Sequence, residues 1–274
     1  MPYKAILVHV ETNAEARTKL AFDLARRHDA LLIGLAAAMW TTPVAYGAAP
    51  KMISISAEMI EEARKRVQTE LKDAAAQFHK LADEIAVRTD WRSLEGFPYG
   101  ALSNATNAAD LVIVGSIGAS RDGADIRGVN PGDLLVGSGR PILVVPETTE
   151  KLEAKNIMVA WKNTREARRA VADALPLLSS AASVVLTQIK EPGCETESIN
   201  DVHQFLSCHG VRSTIRIVEP GLEPETDLVR LAKESKSDLI VAGAYGRSRL
   251  REWAFGGVTR GLLTQTSVAC QLSH

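Results

Sequence analysis

Cysteine is scarce in this 274-residue sequence, where Cys194, Cys208 and Cys270 form an odd, unevenly spaced set. That excludes a disulfide framework and fits a reducing compartment, with the cytoplasm as the expected location. Long apolar runs are lacking too: the longest, Leu31 to Trp40, is about half of the roughly 20 residues a membrane-spanning helix needs. The amino terminus, MPYKAILVHVETNAEAR, has a few apolar residues followed by charge and reads as neither a signal peptide nor an anchor. Nor does one sign of charge dominate, because 32 lysines and arginines stand against 33 acids, a net charge of −1. No global field draws the chain to nucleic acid or an anionic membrane, so neither is an expected partner. What is present is ordinary globular composition, 46% hydrophobic and 24% charged, which excludes disordered, collagen-like and coiled-coil classes. At roughly 100–200 residues per domain, the length suits two domains.

Internal repetition supports the same division. The segment DLVIVGSIG from Asp110 recurs as DLIVAGAYG from Asp238, an offset of 238 − 110 = 128 that also relates Gly128 to Gly256 and Pro141–Val145 to Ala269–Ser273. KAILVHV from Lys4 recurs as KNIMVAW from Lys155, at an offset of 155 − 4 = 151. The first copy therefore carries about 23 extra residues, the difference 151 − 128. Two copies are expected, residues 1–150 and 151–274, joined by the polar linker Glu147–Glu153.

Each copy alternates β-rich and helical periodicity. The first is predicted to have strands at Ala5–Val10, Leu31–Ala38, Ile85–Trp91, Leu111–Gly115 and Ile142–Val145, with helices at Ala14–Arg27 behind an Asn13 cap, Glu58–Ala82, Tyr99–Asn107 and Pro131–Val136. The second repeats the order, with strands at Ile157–Trp161, Ser183–Ile189, Val211–Val218, Leu239–Gly243 and Val268–Leu272. Its helices are predicted at Arg165–Leu178, Glu197–Cys208, Glu225–Glu234 and Val258–Gln265. Near-continuous aliphatic strands alternating with helices imply an α/β, Rossmann-like fold, here two repeated doubly wound five-stranded parallel-sheet domains.

Ligands of such sheets bind beyond the carboxyl ends of the strands, and both copies place glycines there. The second reads Gly243-Ala-Tyr-Gly246, nine residues (RSRLREWAF), then Gly256-Gly257-Val258-Thr259 opening a helix. The first reads Gly115-Ser-Ile-Gly118, nine residues (ASRDGADIR), then Gly128-Val129-Asn130-Pro131. Glycine permits close backbone approach, and the free N–H groups of a helix start attract phosphate. Neither loop is a G-x-G-x-x-G fingerprint or a lysine-containing P-loop.

This strand, glycine pair, nine-residue spacer and second glycine resemble the nucleotide loop of the universal stress protein family, and the resemblance runs over nearly the whole chain, twice. It implies a tandem member whose last strands pair with each other, Ile142–Val145 beside Val268–Leu272 and antiparallel. It also implies ATP or a related adenine nucleotide as the ligand, in a family that contains both binders and non-binders. Where binders carry an aspartate after the first strand, the copies have Glu11 and Lys162. Where binders carry Ser or Thr after the second glycine, they have Val129 and Gly257, and two residues on the first has Pro131 while the second keeps Thr259. Arg247, Arg249 and Arg251 make the second loop basic, whereas Asp122 and Asp125 make the first acidic, so a polyphosphate favours the second copy. The expected nucleotide set is Gly243, Gly246, Arg247, Gly256, Gly257, Val258, Thr259 and Lys162, with Gly115, Gly118, Gly128, Val129 and Glu11 in the lesser first site.

No Ser/His/Asp or Cys/His set recurs between the copies, which leaves at most slow ATP hydrolysis. Cys194, His203, Cys208 and His209 match no zinc spacing, so no metal is expected. The alternative to a cytoplasmic nucleotide-responsive stress protein is a nucleotide-free scaffold working through a protein partner. The apolar insertion from Thr41 to Ser56 is expected to cover a pocket or a partner chain, favouring self-association beyond the internal pair.

Overall fold

Each aliphatic run of the repeat becomes a strand, and the amphipathic stretches between them become the crossover helices. A computed structural model describes residues 2–12, 14–40, 56–116, 129–190, 197–221, 224–245, 261–263 and 267–274. The first half contains β1 (Ala5–His9), α1 (Glu15–His28), β2 (Leu31–Ala38), α2 (Ala57–Glu84), β3 (Thr89–Glu95), α3 (Pro98–Ala105), β4 (Leu111–Gly115), α4 (Pro131–Ser138) and β5 (Ile142–Val145). The second contains β6 (Asn156–Ala160), α5 (Arg165–Leu178), β7 (Ser183–Ile189), α6 (Ser198–Cys208), β8 (Ser213–Val218), α7 (Pro224–Glu234), β9 (Leu239–Gly243) and β10 (Ala269–Ser273).

Among the described residues the strands form one ten-stranded sheet in the order β3-β2-β1-β4-β5-β10-β9-β6-β7-β8. Every neighbouring pair is parallel except β5 and β10, which meet antiparallel at the centre. Central strands are buried on both sides, as their unbroken Ile, Leu and Val runs require. One face holds a core built with α1, α2, α5 and α6, including Leu20, Phe78, Ala170 and Leu206. The other holds a core built with α3, α4 and α7, including Leu102, Leu134 and Leu231.

Local chemistry fixes several ends. Thr164 caps α5 by accepting from Ala167 N–H at 3.2 Å. Asn130 caps α4, accepting from Gly132 N–H at 2.8 Å with Pro131 in the first turn. The predicted Asn13 cap lies outside the described residues. The outer strand differs from expectation: the pattern predicts a strand at Ile85–Trp91, but α2 runs on to Glu84 and the strand is Thr89–Glu95. Ile85 and Val87 owe their apolarity to packing at the exit of α2, where they contact the core.

At the central seam Gln271 faces Leu143, flanked by Cys270 with Val144 and Leu272 with Ile142. Since 143 + 128 = 271, a residue here opposes its own counterpart, so the repeat is related by a local two-fold through this pair. The expected pairing of the last strands is therefore present. Side chains around the seam are not symmetric. The buried Tyr3 hydroxyl donates to the Asp173 carbonyl at 2.9 Å and to Gln271 Oε1 at 3.3 Å, while Ser273 donates to the Asp173 carboxylate at 2.8 Å. Burial pushes the Tyr3 phenol up and raises Asp173 as well. The linker is held rather than free: Leu152 and Ala154 are buried, and Arg27 donates to the carbonyls of Leu152 and Glu153.

Candidate functional site

Strand order reverses between β1 and β4 in one half and between β6 and β9 in the other, and a doubly wound sheet opens its ligand crevice at those points. The first crevice is open. A cavity of about 260 Å³ lies at the carboxyl ends of β1, β4 and β5, and its lining includes Glu11, Arg17, Gly115, Ser116, Val129 and Glu147. A smaller slot of about 50 Å³ adjoins it between the end of β2 and α2. Val10, Ala36, Leu71 and Ala74 line that slot, and it shares Glu11 and Glu70 with the larger cavity.

Arg17 organises this crevice, although its type alone does not suggest burial. Only 7% exposed, it sits in the first turn of α1, three residues before the buried Leu20, so the inward stripe of the helix carries it under the strand ends. Its Nη2 donates to Glu11 at 2.6 Å and its Nε to the His9 carbonyl at 3.2 Å. Glu11 also lies 3.8 Å from His9 Nδ1. Gly115 is required by this arginine: a Cβ there would stand 2.1 Å from Arg17 Nη1. Glu11, Gly115 and Val129 are thus brought together, while Gly118 and Gly128 lie outside the described residues.

The second crevice is built differently from the same triplet. Glu15-Ala16-Arg17 recurs as Glu166-Ala167-Arg168 at the 151 offset. Arg168 turns outward to Asn163, at 2.7 Å, and α5 packs directly on β9. A Cβ on Gly243 would meet the Ala167 backbone nitrogen at 2.3 Å, so this glycine admits a helix of its own chain. Glu166 is buried, where Glu15 is exposed. Desolvation would raise its carboxyl, but hydrogen bonds from its own backbone and the Thr164 hydroxyl, with Arg165 at 3.2 Å, outweigh that and hold it below the usual range. Lys162 is exposed at the mouth, next to a buried Trp161 whose indole donates to Ser198 at 3.2 Å. Tyr245, inside the glycine motif, adopts a left-handed φ of 61°, unusual for a bulky residue, with its ring 6.3 Å from that of His274. Gly246, Arg247, Gly256, Gly257, Val258 and Thr259 lie outside the described residues, as do Arg249, Arg251 and nearly all of the Thr41–Ser56 insertion.

Sequence reading missed Arg17, Glu70 and Glu147 as crevice residues. The recurrent Glu-Ala-Arg triplet was the available signal for the first. The two acids reach the cavity from α2 and from just after β5, which only the topology reveals.

No protein-family model and no curated protein matches the chain. Among solved structures, a universal stress protein from Archaeoglobus fulgidus DSM 4304 superposes over 98% of this chain and 97% of its own, with a TM-score of 0.71 at 14% identity. The chain has the tandem universal stress protein fold. A putative universal stress protein from Pseudomonas aeruginosa UCBPP-PA14 covers 99% of this chain and 93% of its own at a TM-score of 0.57 and 16% identity. A functionally unknown protein from Pseudomonas aeruginosa PAO1 covers 99% and 92% at a TM-score of 0.55 and 15% identity. All three match across both halves, so the universal stress protein fold is present twice, joined through the central antiparallel pair.

Proposed function

We propose that this protein is a cytoplasmic stress-response protein that binds ATP or a related adenine nucleotide, chiefly through its second half, residues 151–274. The observation that supports this reading is the position of Gly243. Gly243 ends β9 at the switch point of a universal-stress-protein-like sheet, and the sequence that follows supplies the second glycine pair and three arginines before the helical residues 261–263. Backbone N–H groups at Gly256–Thr259 would hold phosphates, with Gly246 giving close approach and Arg247 nearby. The first half is the poorer nucleotide site, since its Arg17 is already paired with Glu11 and its rim carries Glu70 and Glu147.

Titration calorimetry with ATP on the full chain tests this. Binding is expected in the parent, lost in Gly246→Val, and strengthened in Lys162→Asp, which restores the family's usual residue. No binding to the parent or to Lys162→Asp overturns it. The packing of Ala167 on Gly243 favours a second reading, a nucleotide-free scaffold whose glycines serve helix packing; that reading takes over if both titrations are flat.

A further inference from the structure

Among the described residues the sheet ends in two edge strands, β3 and β8, and they are built unlike each other. β3 carries Asp90, Arg92 and Glu95, charges of the kind that keep an edge from pairing. β8 carries one charge, Arg216, and that side chain lies on the α7 face, where it donates to Glu234 at 2.7 Å. The other face of β8 is marked by His203 of α6, whose ring nitrogen lies 2.8 Å from the Ser213 hydroxyl. By strand alternation Ile215 and Ile217 share that face with Ser213, and they remain 37% and 39% exposed.

Backbone direction identifies the groups open to a partner. Lys190 N–H donates to the Val218 carbonyl at 2.9 Å, so the main-chain groups of Thr214, Arg216 and Val218 point inward to β7. Those of Ser213, Ile215 and Ile217 point outward and bond to no other strand among the described residues. The residues with free main-chain groups are thus the same ones whose side chains form the uncharged α6 face. A second β8, running antiparallel, fits this edge well in one register. Opposed residues must share a face, so the two strands can slide only in steps that keep the faces matched. Centred on Arg216, the pairing sets two like charges directly opposite each other, which is destabilising. Centred on Thr214, it sends Ile217 past the end of the partner strand. Centred on Ile215, it sets Arg216 opposite Thr214 and Ser213 opposite Ile217, and every outward residue exchanges two main-chain hydrogen bonds with the copy.

We propose that β8 is a self-association edge, at which a second copy of this chain pairs antiparallel along Ser213–Val218 with Ile215 on the two-fold axis. The exposed isoleucines of the two molecules cover each other, and the sheet runs on from one molecule into the next. Because the same patch meets itself, the contact closes at a dimer. It repeats at the rim of the sheet the antiparallel edge pairing that already joins β5 to β10 at its centre. The inference goes beyond the nucleotide reading and does not depend on it.

Sedimentation velocity on the full chain, from about 1 to about 200 micromolar, is the test, and a concentration-dependent dimer is expected. Ile215→Lys sets two like charges opposite each other on the axis and is expected to weaken the dimer at least about tenfold. Ile217→Lys, farther from the axis, takes its place if Ile215→Lys does not fold. Leu94→Lys, on the β3 edge, is expected to leave the dimer unchanged. Register is read by cross-linking. Thr214→Cys and Arg216→Cys, each in a Cys194→Ser/Cys208→Ser background, are mixed and oxidised with diamide. Opposed positions of this type have Cα atoms about 4.5 Å apart, within disulfide reach, so the two variants are expected to cross-link to each other and neither to itself. A parent that stays monomeric at about 200 micromolar overturns the proposal and leaves the edge to a strand from another protein. A dimer that survives the lysine variants overturns it as well, as does one abolished by Leu94→Lys. Open-ended oligomers would mean that β8 pairs with β3 of the next molecule, and Arg216→Cys cross-linked to itself would mean a different register; either result refutes the assignment.

Discussion

Replacing Gly34 by alanine is the sharpest probe of how the first half is packed. Gly34 lies in the middle of β2, and a Cβ built there stands 2.4, 2.7 and 2.8 Å from three ring carbons of Phe78. Carbon atoms rest at about 3.5–4.0 Å, so the ring must retreat by about 1 Å. It has no room to do so. Phe78 is fully buried, with ring centroids of Phe22 and Trp91 at 5.1 and 5.0 Å. Overpacking of this kind costs about 1–3 kcal/mol, and the gain from removing a strand glycine returns about 0.5–1 kcal/mol. A net loss of about 1–2 kcal/mol is expected, a drop in Tm of roughly 2–8 °C for a chain of this size. The decisive assay is a double-mutant cycle by urea unfolding with Phe78→Leu, which shortens the side chain facing Gly34. If contact with the ring is the cause, the double variant is more stable than the sum of the singles predicts by about 1 kcal/mol or more. Additivity within about 0.5 kcal/mol would refute the reasoning.

Three further outcomes follow from the same geometry. Burial, then the charges of Arg27 and the amino terminus, depress His28 from 6.5 to about 4, so its contribution to stability is complete above about pH 6.5 and is lost as pH falls toward 4. Urea unfolding at pH 7.5 and pH 5 should show this loss, smaller than the full-burial limit because the ring is partly exposed, and His28→Phe, which keeps a ring against Tyr3, should flatten it. Asp110 accepts from the backbone N–H groups of Lys4 and Ala5, and Asp238 from those of Lys155 and Asn156, so alanine at either position should cost about 1–2 kcal/mol of unfolding free energy, with Asn recovering part. Gly243→Ala places a methyl 2.3 Å from a backbone nitrogen of α5 and should lower Tm markedly, whereas Gly246→Val should spare Tm and act only on ligand.

Much of the fold is legible in the sequence because its strands are buried on both faces. Runs such as LVIV and LIVA have one physical solution, a central strand of a covered parallel sheet, and their repetition supplies the topology. The edge is where reading by pattern slips. β3 is half-exposed, with Leu94 among its outward residues, so hydrophobicity marks the helix exit at Ile85 and Val87 more strongly than the strand itself. The switch-point positions Glu11, Lys162, Gly115 and Gly243 can be located from the repeat alone. What fills each crevice cannot, because the same Glu-Ala-Arg triplet sends its arginine inward in one half and outward in the other. That choice depends on how closely α1 and α5 approach the sheet, a tertiary distance with no local signature. The paired aspartates Asp110 and Asp238 are visible as repeats, and only the hydrogen bonds reveal them as clamps on the first strands.

The seam at Leu143 and Gln271 carries a consequence for how this molecule is constructed. In a dimer of identical subunits any residue on the axis must be compatible with itself, and a buried amide would face another amide. Joined in one chain, the two axial positions have become separate addresses. One now holds a leucine and the other a glutamine whose side-chain oxygen accepts from Tyr3, a residue whose counterpart at the 151 offset is Ala154. Cut within the linker, the halves would therefore be obligate complements rather than interchangeable copies. Two second halves would oppose Gln271 to Gln271 with no tyrosine to receive either, and two first halves would leave both Tyr3 hydroxyls buried without Asp173. The seam has become a lock that recognises only its own other half, which makes this fold a natural candidate for a split protein reassembled from fragments.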